Sequence, residues 1–460
     1  MTKYRLECTG CGATIPNFSR WFLAGQRCPQ CDSTVIEARY NTNWETFDDL
    51  LTARSSESGL WRYFDYLPVE SAANVVTAGE GNVTVERWGF LEDYARGHGV
   101  DCKVYAHRQD TNPATGTLKD LAGSMVASVL KEAGVDDYVV ATTGNVGAAF
   151  ARYLAAAGIN LHAFVPMNAS RFHGVDIAIL GQKVFRVPGD YADAKRVAAD
   201  FARSRGLYYS PGGFDPIRIE AKKTIAYELL RGLARPPTVY IQALSGGMGP
   251  LGVAKGMSEL QRLGLLARSP RFYLVQTDGC APMAAAWDEA KSGNFASGWE
   301  NRYPVYDNPV TDIPILSTGN PRLYPLVGRL VRDTGGEIVS FPEQYCVDTA
   351  RLVAVEVAVA IGPAAAVAVG GFLYAVRAGH IRQDDVVVVV VGEGIRRSPE
   401  FALQMAVPAE VVHDIEATGA ADRRKYRESV LRAVGAFAFD GRSADRDRGF
   451  IDSPPMSATA

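Results

Sequence analysis

The chain has 460 residues, of which 47% are hydrophobic and 22% are charged. These fractions are close to globular averages, so they exclude a chain that is mostly disordered. The formal net charge is only -3, which excludes the strong basic field that draws proteins to nucleic acid or to anionic membranes. The length is too great for one hydrophobic core, so we expect two or three domains.

The segments that could direct the chain to a membrane lack the required pattern. No apolar stretch precedes Cys8, so we expect no secretory signal. Residues 353–376 are apolar and long enough to span a bilayer, but they contain Glu356 and the helix-breaking pair Gly362-Pro363. We therefore expect a buried core helix there, and a soluble cytoplasmic protein with no membrane or nucleic-acid partner.

Four of the seven cysteines form two CxxC pairs, Cys8/Cys11 and Cys28/Cys31, separated by sixteen residues. This spacing is typical of a tetrahedral zinc ribbon with four cysteine ligands, and a site with all four positions filled has a structural role. Gly10 and Gly12 supply flexible backbone for the first turn. Two disulfides or a redox-active CxxC pair are the alternatives. We predict a zinc ribbon over residues 1–40.

From about residue 103 the pattern alternates between short apolar strands and amphipathic helices, which predicts parallel sheets covered on both faces. The architecture is therefore expected to be α/β and doubly wound. The tail at 440–460 carries charges, serines and prolines but little apolar content, so we expect it to be disordered. The predicted strands are 104–107, 138–141, 161–165, 238–243, 272–276 and 386–391, and the predicted helices include 118–133 and 147–157.

Three loops are candidates for ligand binding, because ligands of α/β sheets bind where strands end and helices begin. The first, Asn-Pro-Ala-Thr-Gly-Thr-Leu-Lys-Asp at 112–120, places Lys119 in the first turn of a helix. The helix dipole disfavours an ammonium ion there and favours the neutral amine that forms imines. The second, at 141–147, offers two threonine hydroxyls and Asn145. The third, Ser-Gly-Gly-Met-Gly at 245–249, could hold a phosphate on its backbone amides. Taken singly, Lys119 could be an ordinary solvated lysine, and the second and third loops could equally be ordinary turns.

Together and in this order, these loops resemble the active site of the fold-type II pyridoxal-phosphate enzymes, most closely the threonine synthases. Residues 112–120 resemble the cofactor-lysine motif NPTGSFKD, and 142–147 resemble the STGNT-type loop. Residues 215–228 match NPxRxEGxKTIAxE, and 276–282 match QAEGxAP. The resemblance extends from the ribbon to about residue 399 and includes the turn Gly-Glu-Gly-Asn at 79–82.

The resemblance implies two doubly wound open sheets within residues 41–439, with a small subdomain at about 120–225. It implies that Lys119 holds pyridoxal phosphate as a Schiff base and moves the Cα proton. The partner would be a small-molecule amino-acid substrate, and the protein would be a monomer or a homodimer. The residues implied to bind the cofactor with Lys119 are Asn145, at its phenolic oxygen, and Gly246, Gly247, Met248 and Gly249, at its phosphate. Those implied to bind the substrate are Thr117, Thr142, Thr143 and Arg218.

The sequence also departs from the family pattern at chemical positions. Asp215 replaces the asparagine of the NPxR motif, and an ionised carboxylate there would repel a substrate phosphate. Val391 stands where the family has a threonine beside the pyridine nitrogen, and valine cannot form a hydrogen bond. Glu393 follows two residues later; we expect it to be a solvated loop residue that leaves the pyridine nitrogen neutral. These departures suggest a changed substrate or reaction.

The resemblance thus predicts a lyase that eliminates a leaving group, phosphate in the leading case, from an activated amino acid and then adds water. A β-replacement enzyme similar to cysteate synthase, acting on O-phosphoserine with sulfite or another nucleophile, is the alternative. A non-catalytic, ligand-sensing homologue is a third possibility, which the retention of the lysine and the glycine-rich loop disfavours.

Overall fold

The computed structural model describes residues 2–41, 47, 59–210, 213–407, 422–439 and 450–452. The strands are β1 (Tyr4–Cys8), β2 (Thr14–Ile15), β3 (Ile36–Tyr40), β4 (Val85–Arg87), β5 (Lys103–His107), β6 (Asp137–Ala141), β7 (Asn160–Pro166), β8 (Lys183–Val187), β9 (Tyr208–Tyr209), β10 (Val239–Ala243), β11 (Arg271–Thr277), β12 (Arg302–Pro304), β13 (Glu337–Phe341), β14 (Val386–Val390) and β15 (Phe450–Asp452).

The α-helices are α1 (Phe18–Leu23), α2 (Gly89–Gly97), α3 (Lys119–Ala133), α4 (Asn145–Ala157), α5 (Arg171–Ala178), α6 (Tyr191–Arg205), α7 (Pro216–Gly232), α8 (Met248–Arg262), α9 (Pro282–Ser292), α10 (Tyr324–Thr334), α11 (Cys346–Val357), α12 (Pro363–Arg377), α13 (Pro399–Met405) and α14 (Arg423–Gly435). Short 3-10 helices occupy Leu60–Tyr66, Ala72–Asn74, Gln109–Thr111, Trp299–Asn301, Pro314–Leu316, Glu343–Tyr345 and Ile395–Arg397.

Two mostly parallel sheets are formed by strands between residues 85 and 390. The larger has six strands in the order β13-β11-β10-β14-β5-β4, all parallel except for the antiparallel edge pair β4 and β5. The smaller has four parallel strands in the order β8-β7-β6-β9. At the N-terminus, β2-β1-β3 form an antiparallel sheet. The predicted strands at 104–107, 138–141, 161–165, 238–243, 272–276 and 386–391 all lie in the two parallel sheets, which confirms the α/β architecture.

Both faces of the larger sheet are buried. Along β14, Val388 packs into one core cluster, whereas Val387 and Val389 pack into another. Alternation of side chains along a strand directs neighbours to opposite faces, so a strand covered on both sides must be apolar throughout. This explains the unbroken valine run. The smaller sheet is built in the same way, because Val140 and Val139 also belong to separate clusters.

The apolar segment at 353–376 is two helices rather than the single one predicted. Helix α11 ends at Val357 and α12 begins at Pro363, since the preceding Gly362 and the proline ring break the hydrogen-bond ladder. None of the helices within the described ranges is long and apolar enough to cross a membrane.

The tail that we predicted to be disordered lies outside the described residues at 440–449 and 453–460. Its short segment Phe450–Asp452 instead forms β15, which pairs antiparallel with β12. The proposed division into a small subdomain at 120–225 stays a prediction.

Candidate active site

The three predicted loops meet at one cavity of about 140 Å³, at the carboxyl ends of β6, β10 and β14. Parallel strands bring their carboxyl ends to one edge, so loops that are distant in sequence become neighbours there. The predicted residues that line this cavity are Lys119, Thr142, Thr143, Asn145, Arg218, Gly246, Gly247, Met248 and Gly249.

Lys119 is the first residue of α3, and its position depends on the next side chain. The Asp120 carboxylate accepts hydrogen bonds from the backbone N–H groups of Ala114 (3.0 Å) and Thr115 (2.9 Å), which folds the loop back onto the helix start. Burial, together with the positive charge of Arg218, lowers the pKa of Lys119 to about 8. The loop therefore presents an amine that loses its proton far more readily than an exposed lysine does.

Thr117 does not line the cavity, so its role in substrate binding stays a prediction. Its side chain is fully buried, and its hydroxyl oxygen accepts a hydrogen bond from the backbone N–H of Lys119 at 3.1 Å and lies 3.0 Å from the Thr115 hydroxyl. The hydroxyl is thus used inside the loop. Thr117 supports the lysine but does not line the cavity.

The second loop presents Asn145 at the start of α4. The hydroxyl oxygen of Thr142 accepts hydrogen bonds from the N–H groups of Gly144 (3.0 Å) and Gly147 (2.9 Å), so this threonine serves the turn although it also lines the cavity. Gly144 has a φ of 154°, and a Cβ there would lie 2.6 Å from Nε2 of His173. Only glycine therefore lets the chain pass between the strand and the buried imidazole.

The third loop enters helix α8 at Met248, where the first backbone N–H groups of a helix have no partner within the helix. Gly247 has a φ of 93°, and a Cβ there would lie 2.6 Å from a methyl of Val327. A Cβ on Gly249 would lie 2.5 Å from the Gln242 amide. The result is a tight anion cradle of backbone amides. With an amine in Lys119 and an amide in Asn145, the donor set fits pyridoxal phosphate.

One wall of the cavity is cationic. Arg218 and Lys222 lie one turn apart on α7, and Lys222 donates a hydrogen bond of 3.1 Å from Nζ to the Arg218 carbonyl. Burial and the charges of Arg218 and Lys119 hold the pKa of Lys222 well below its usual range. The Nε of Arg218 is buried and has no hydrogen-bond partner within the described part of the chain. Lys195, on α6, also reaches the cavity.

Sequence reasoning missed Lys195 and Lys222. A signal for Lys222 existed, because a residue four positions after Arg218 shares its helix face. No sequence signal pointed to Lys195, because the fold of the smaller sheet, and not the local sequence, places α6 against the cavity.

Asp215, which we expected to repel a substrate phosphate, does not line the cavity. Its buried carboxylate accepts hydrogen bonds from the N–H groups of Ile217 (3.1 Å) and Arg218 (3.2 Å) and from the Ser210 hydroxyl (3.2 Å). Burial raises its pKa. Asp215 is therefore the N-cap of α7, a role that asparagine fills equally well.

The expectation of a solvated Glu393 is wrong. This side chain is 1% exposed, lines the cavity and accepts a hydrogen bond from Nδ2 of Asn145. Val391, by contrast, packs into the same core cluster as Val387 and Val389 and does not line the cavity. The neighbouring Val390 lines the cavity instead. The protonation state of the pyridine nitrogen stays a prediction.

The four ribbon cysteines also converge, with all four sulfur atoms within 4.8 Å of one another. In each CxxC turn, the N–H of the fifth residue donates to the carbonyl of the first: Gly12 to Cys8 (2.9 Å) and Asp32 to Cys28 (3.0 Å). Both fifth residues have positive φ, 75° at Gly12 and 60° at Asp32, whereas Gly10 does not. The cysteines are free thiols. Zn–S bonds of about 2.3 Å put tetrahedral sulfurs about 3.8 Å apart, which this cluster can accommodate.

Comparison with known proteins agrees with this site. The family model described as "Pyridoxal-phosphate dependent enzyme" matches residues 76–393, and the chain therefore belongs to this family. Among curated relatives, the threonine synthase of Methanocaldococcus jannaschii is 27% identical over 82% of this chain and 94% of its own length. The cysteate synthase of Methanothrix thermoacetophila is 26% identical over 87% of this chain and 93% of its own.

Solved structures share the fold. The processed form of threonine deaminase isoform 2 from Solanum lycopersicum superimposes with a TM-score of 0.57 at 18% identity, covering 77% of this chain and 94% of that one. O-ureido-L-serine synthase gives a TM-score of 0.53 at 19% identity, covering 71% and 94%. The family and the curated relatives establish a pyridoxal-phosphate-dependent lyase of the threonine synthase type.

Proposed function

We propose that this lyase eliminates an anionic leaving group, phosphate in the leading case, from an amino acid and then adds water. The observation that carries the proposal is the cationic wall beside the lysine. Arg218, Lys222 and Lys195 line the same cavity as Lys119, and Arg218 keeps a buried Nε without a partner. Burial lowers the pKa of Lys222 and of Lys195 and so disfavours their charged forms. A bound anion would favour these charged forms again, so the wall suits a ligand with negative charge.

Each residue has a role in this reaction. Pyridoxal phosphate, when bound, supplies the electron sink that makes the substrate Cα proton acidic. Nζ of Lys119 takes that proton, which its low pKa permits. The N–H groups around Gly247 hold an anionic phosphate. Arg218 and Lys222 stabilise the negative charge that develops on the leaving group.

A second candidate is β-replacement, in which the nucleophile is sulfite or another anion rather than water. One observation favours it: the cysteate synthase relative covers 87% of the chain, a share between the 82% and 89% covered by two threonine synthases.

Product analysis separates these candidates. The full-length holoenzyme would be incubated with phosphohomoserine or with O-phosphoserine, each with and without sulfite, and products would be identified by mass spectrometry beside a phosphate assay. Threonine and phosphate from phosphohomoserine would support the first candidate. A sulfonated amino acid from O-phosphoserine and sulfite would support the second. Absence of phosphate release from both substrates would contradict both and favour the ligand-sensing alternative.

A pair of arginine variants tests the cationic wall directly. Arg218→Met should abolish phosphate release while the cofactor remains bound, because the variant removes the guanidinium next to the leaving group. Arg203→Met is the matched control, since Arg203 pairs with Asp200 on the exposed face of α6. Wild-type phosphate release in Arg218→Met would contradict the assignment of this wall.

We also propose that the ribbon cysteines bind one structural zinc ion. The mutual closeness of the four sulfurs and the repeated turn at Gly12 and Asp32 support a closed tetrahedral site. Metal analysis of the purified chain tests the proposal.

A further inference from the structure

Glu393 is a buried carboxylate that lines the same cavity as Lys119. The backbone N–H of Leu118 donates to the carbonyl of Gly392 at 3.0 Å, and Thr117 forms an antiparallel bridge with Glu393, so the two loops are adjacent.

Glu393 accepts a hydrogen bond from Nδ2 of Asn145 and another, of 3.1 Å, from the backbone N–H of Ala364. Its negative charge favours the protonated form of Lys119, which raises the pKa of that lysine against the effect of burial. Gly362 leaves room for this carboxylate because it has no side chain. A Cβ at that position would lie 2.7 Å from the Glu393 side chain.

The opposite end of the Asn145 amide is also held. Nε of Arg397 donates to Oδ1 of Asn145 at 3.2 Å, and the Arg397 guanidinium pairs with Asp176 at 2.5 Å. A flipped amide would set Nδ2 against the guanidinium donors and Oδ1 against the Glu393 carboxylate. Both contacts would be repulsive, so the two charged groups fix the orientation of the amide.

This orientation leaves one donor for a ligand. Nδ2 of Asn145 carries two hydrogens, of which Glu393 takes one. The second N–H is available in a cavity that Asn145 shares with Lys119. Asn145 follows β6 of the smaller sheet, whereas Glu393 and Arg397 follow β14 of the larger one. The contact therefore also joins the two sheets at the site.

We propose that Glu393 and Arg397 are positioning residues: together they lock the Asn145 amide with an N–H group directed to the cofactor, and the Glu393 carboxylate is the counter-ion of the Lys119 amine. The inference concerns cofactor binding alone and holds whichever leaving group or nucleophile the enzyme uses. The other charged groups that act on this pair are Arg218 and Lys222 from α7.

The counter-ion role is tested by the rate at which the full-length apoenzyme attaches pyridoxal phosphate, followed by absorbance across a pH series without any substrate. Glu393→Gln keeps a carbonyl oxygen that can accept from Asn145 but removes the charge. The pH at half-maximal rate should fall by about half a unit or more, because the ammonium form of Lys119 loses the favourable negative charge of Glu393. Glu400→Gln is the matched control: Glu400 is an exposed carboxylate that bonds Ser170 at 2.7 Å, and its removal should leave the profile unchanged.

The locking role is tested by Arg397→Met, which removes the donor to Oδ1 of Asn145. The dissociation constant for pyridoxal phosphate should rise about tenfold, the loss expected for one charge-assisted hydrogen bond, and the cofactor's absorption band should shift. Arg396→Met, at the exposed neighbouring position, is the control.

The two arms are independent, so failure of one variant to fold leaves the other informative. A wild-type pH profile in folded Glu393→Gln would overturn the counter-ion role. Unchanged cofactor affinity and spectrum in folded Arg397→Met would overturn the lock. A change in unfolding free energy without either effect would assign both residues a purely structural role, which also overturns the proposal.

Discussion

Lys119 combines two requirements that conflict in water: it must be a nucleophilic amine near neutral pH, and it must stay in one place. Burial and the charge of Arg218 meet the first requirement by lowering its pKa to about 8. The Asp120 carboxylate meets the second by bonding the N–H groups of Ala114 and Thr115. The aspartate that follows the lysine is therefore a support for the loop and not a second acid.

Replacement of the lysine should remove cofactor attachment altogether. In Lys119→Ala the visible band of lysine-bound cofactor and the borohydride-reducible adduct should both be lost, with essentially no turnover, because Lys222 is held by the Arg218 carbonyl. Lys131→Ala, an exposed lysine later on the same helix, should behave as wild type. A reducible adduct with normal turnover in Lys119→Ala would contradict the assignment.

The pH dependence of cofactor attachment follows from the same pKa. Only the neutral amine attacks an aldehyde, so the attachment rate should rise about tenfold per pH unit below pH 8 and level off above it. For an exposed lysine, with a pKa of about 10.4, the attachment rate would still be rising above pH 8. Stopped-flow absorbance after mixing apoenzyme with pyridoxal phosphate gives the profile. A midpoint near that of a free lysine derivative in the same buffers would show that Lys119 is not desolvated.

At the scale of helices, α7 carries cavity-lining residues on one face and a buried ion pair on another. Arg218 and Lys222 face the cavity, whereas Glu220 and Lys223 form a buried ion pair of 2.9 Å on another face. Helix α8 adds Lys255, which lies 3.0 Å from Glu220. Glu220 and Lys223, the first glutamate and the lysine of the NPxRxEGxKTIAxE motif, thus stabilise the packing of the helices. The motif alone does not distinguish them from residues that line the cavity.

The buried ion pairs make α7 and α8 sensitive to single substitutions. Glu220→Ala should destabilise the protein by about 3–5 kcal/mol, because it leaves two buried ammonium groups with one remaining carboxylate, Glu259. Chemical denaturation followed by tryptophan fluorescence measures the loss. Asp200→Ala breaks a pair with the same i,i+3 spacing on the exposed face of α6, where we expect little change. Equal effects in the two variants would contradict the distinction.

The sequence predicted the two sheets and most of the cavity because each depends on local patterns. A valine-rich strand can be recognised from the sequence alone. So can a glycine-rich loop, or a loop that carries a lysine, when it follows such a strand. The direction of Glu393 was not predictable, since strand alternation fixes side chains only up to Gly392 and the chain then turns. Val391 illustrates the same limit: a shift of one residue decides whether a valine faces the cavity or the core.

At the scale of the whole molecule, the N-terminal segment 2–40, where we predict the ribbon, is joined to the helices that line the cavity. The Tyr40 hydroxyl donates to Glu220 at 2.5 Å, and Lys255 donates to the carbonyl of Ala38 at 2.9 Å. On the other side, the Gln26 side chain forms two hydrogen bonds with the Tyr209 backbone, at the edge of the smaller sheet. This N-terminal segment therefore contacts α7, α8 and strand β9 of the smaller sheet. Unfolding of the segment should loosen the cavity without removing a reacting group.

Loss of the proposed zinc ion tests this arrangement. Cys11→Ser should lower the zinc content well below the one ion per chain expected of the wild type, because three thiolates hold the metal less tightly than four. The melting temperature should fall, and cofactor affinity should weaken through the Tyr40 and Ala38 contacts, while the absorption band of the cofactor that remains bound should be unchanged. Cys102→Ala, at an isolated buried cysteine, should keep its zinc. A purified wild-type chain without zinc would disprove the metal site, and a zinc-free Cys11→Ser variant with wild-type stability would disprove the support that the ribbon gives to α7 and α8.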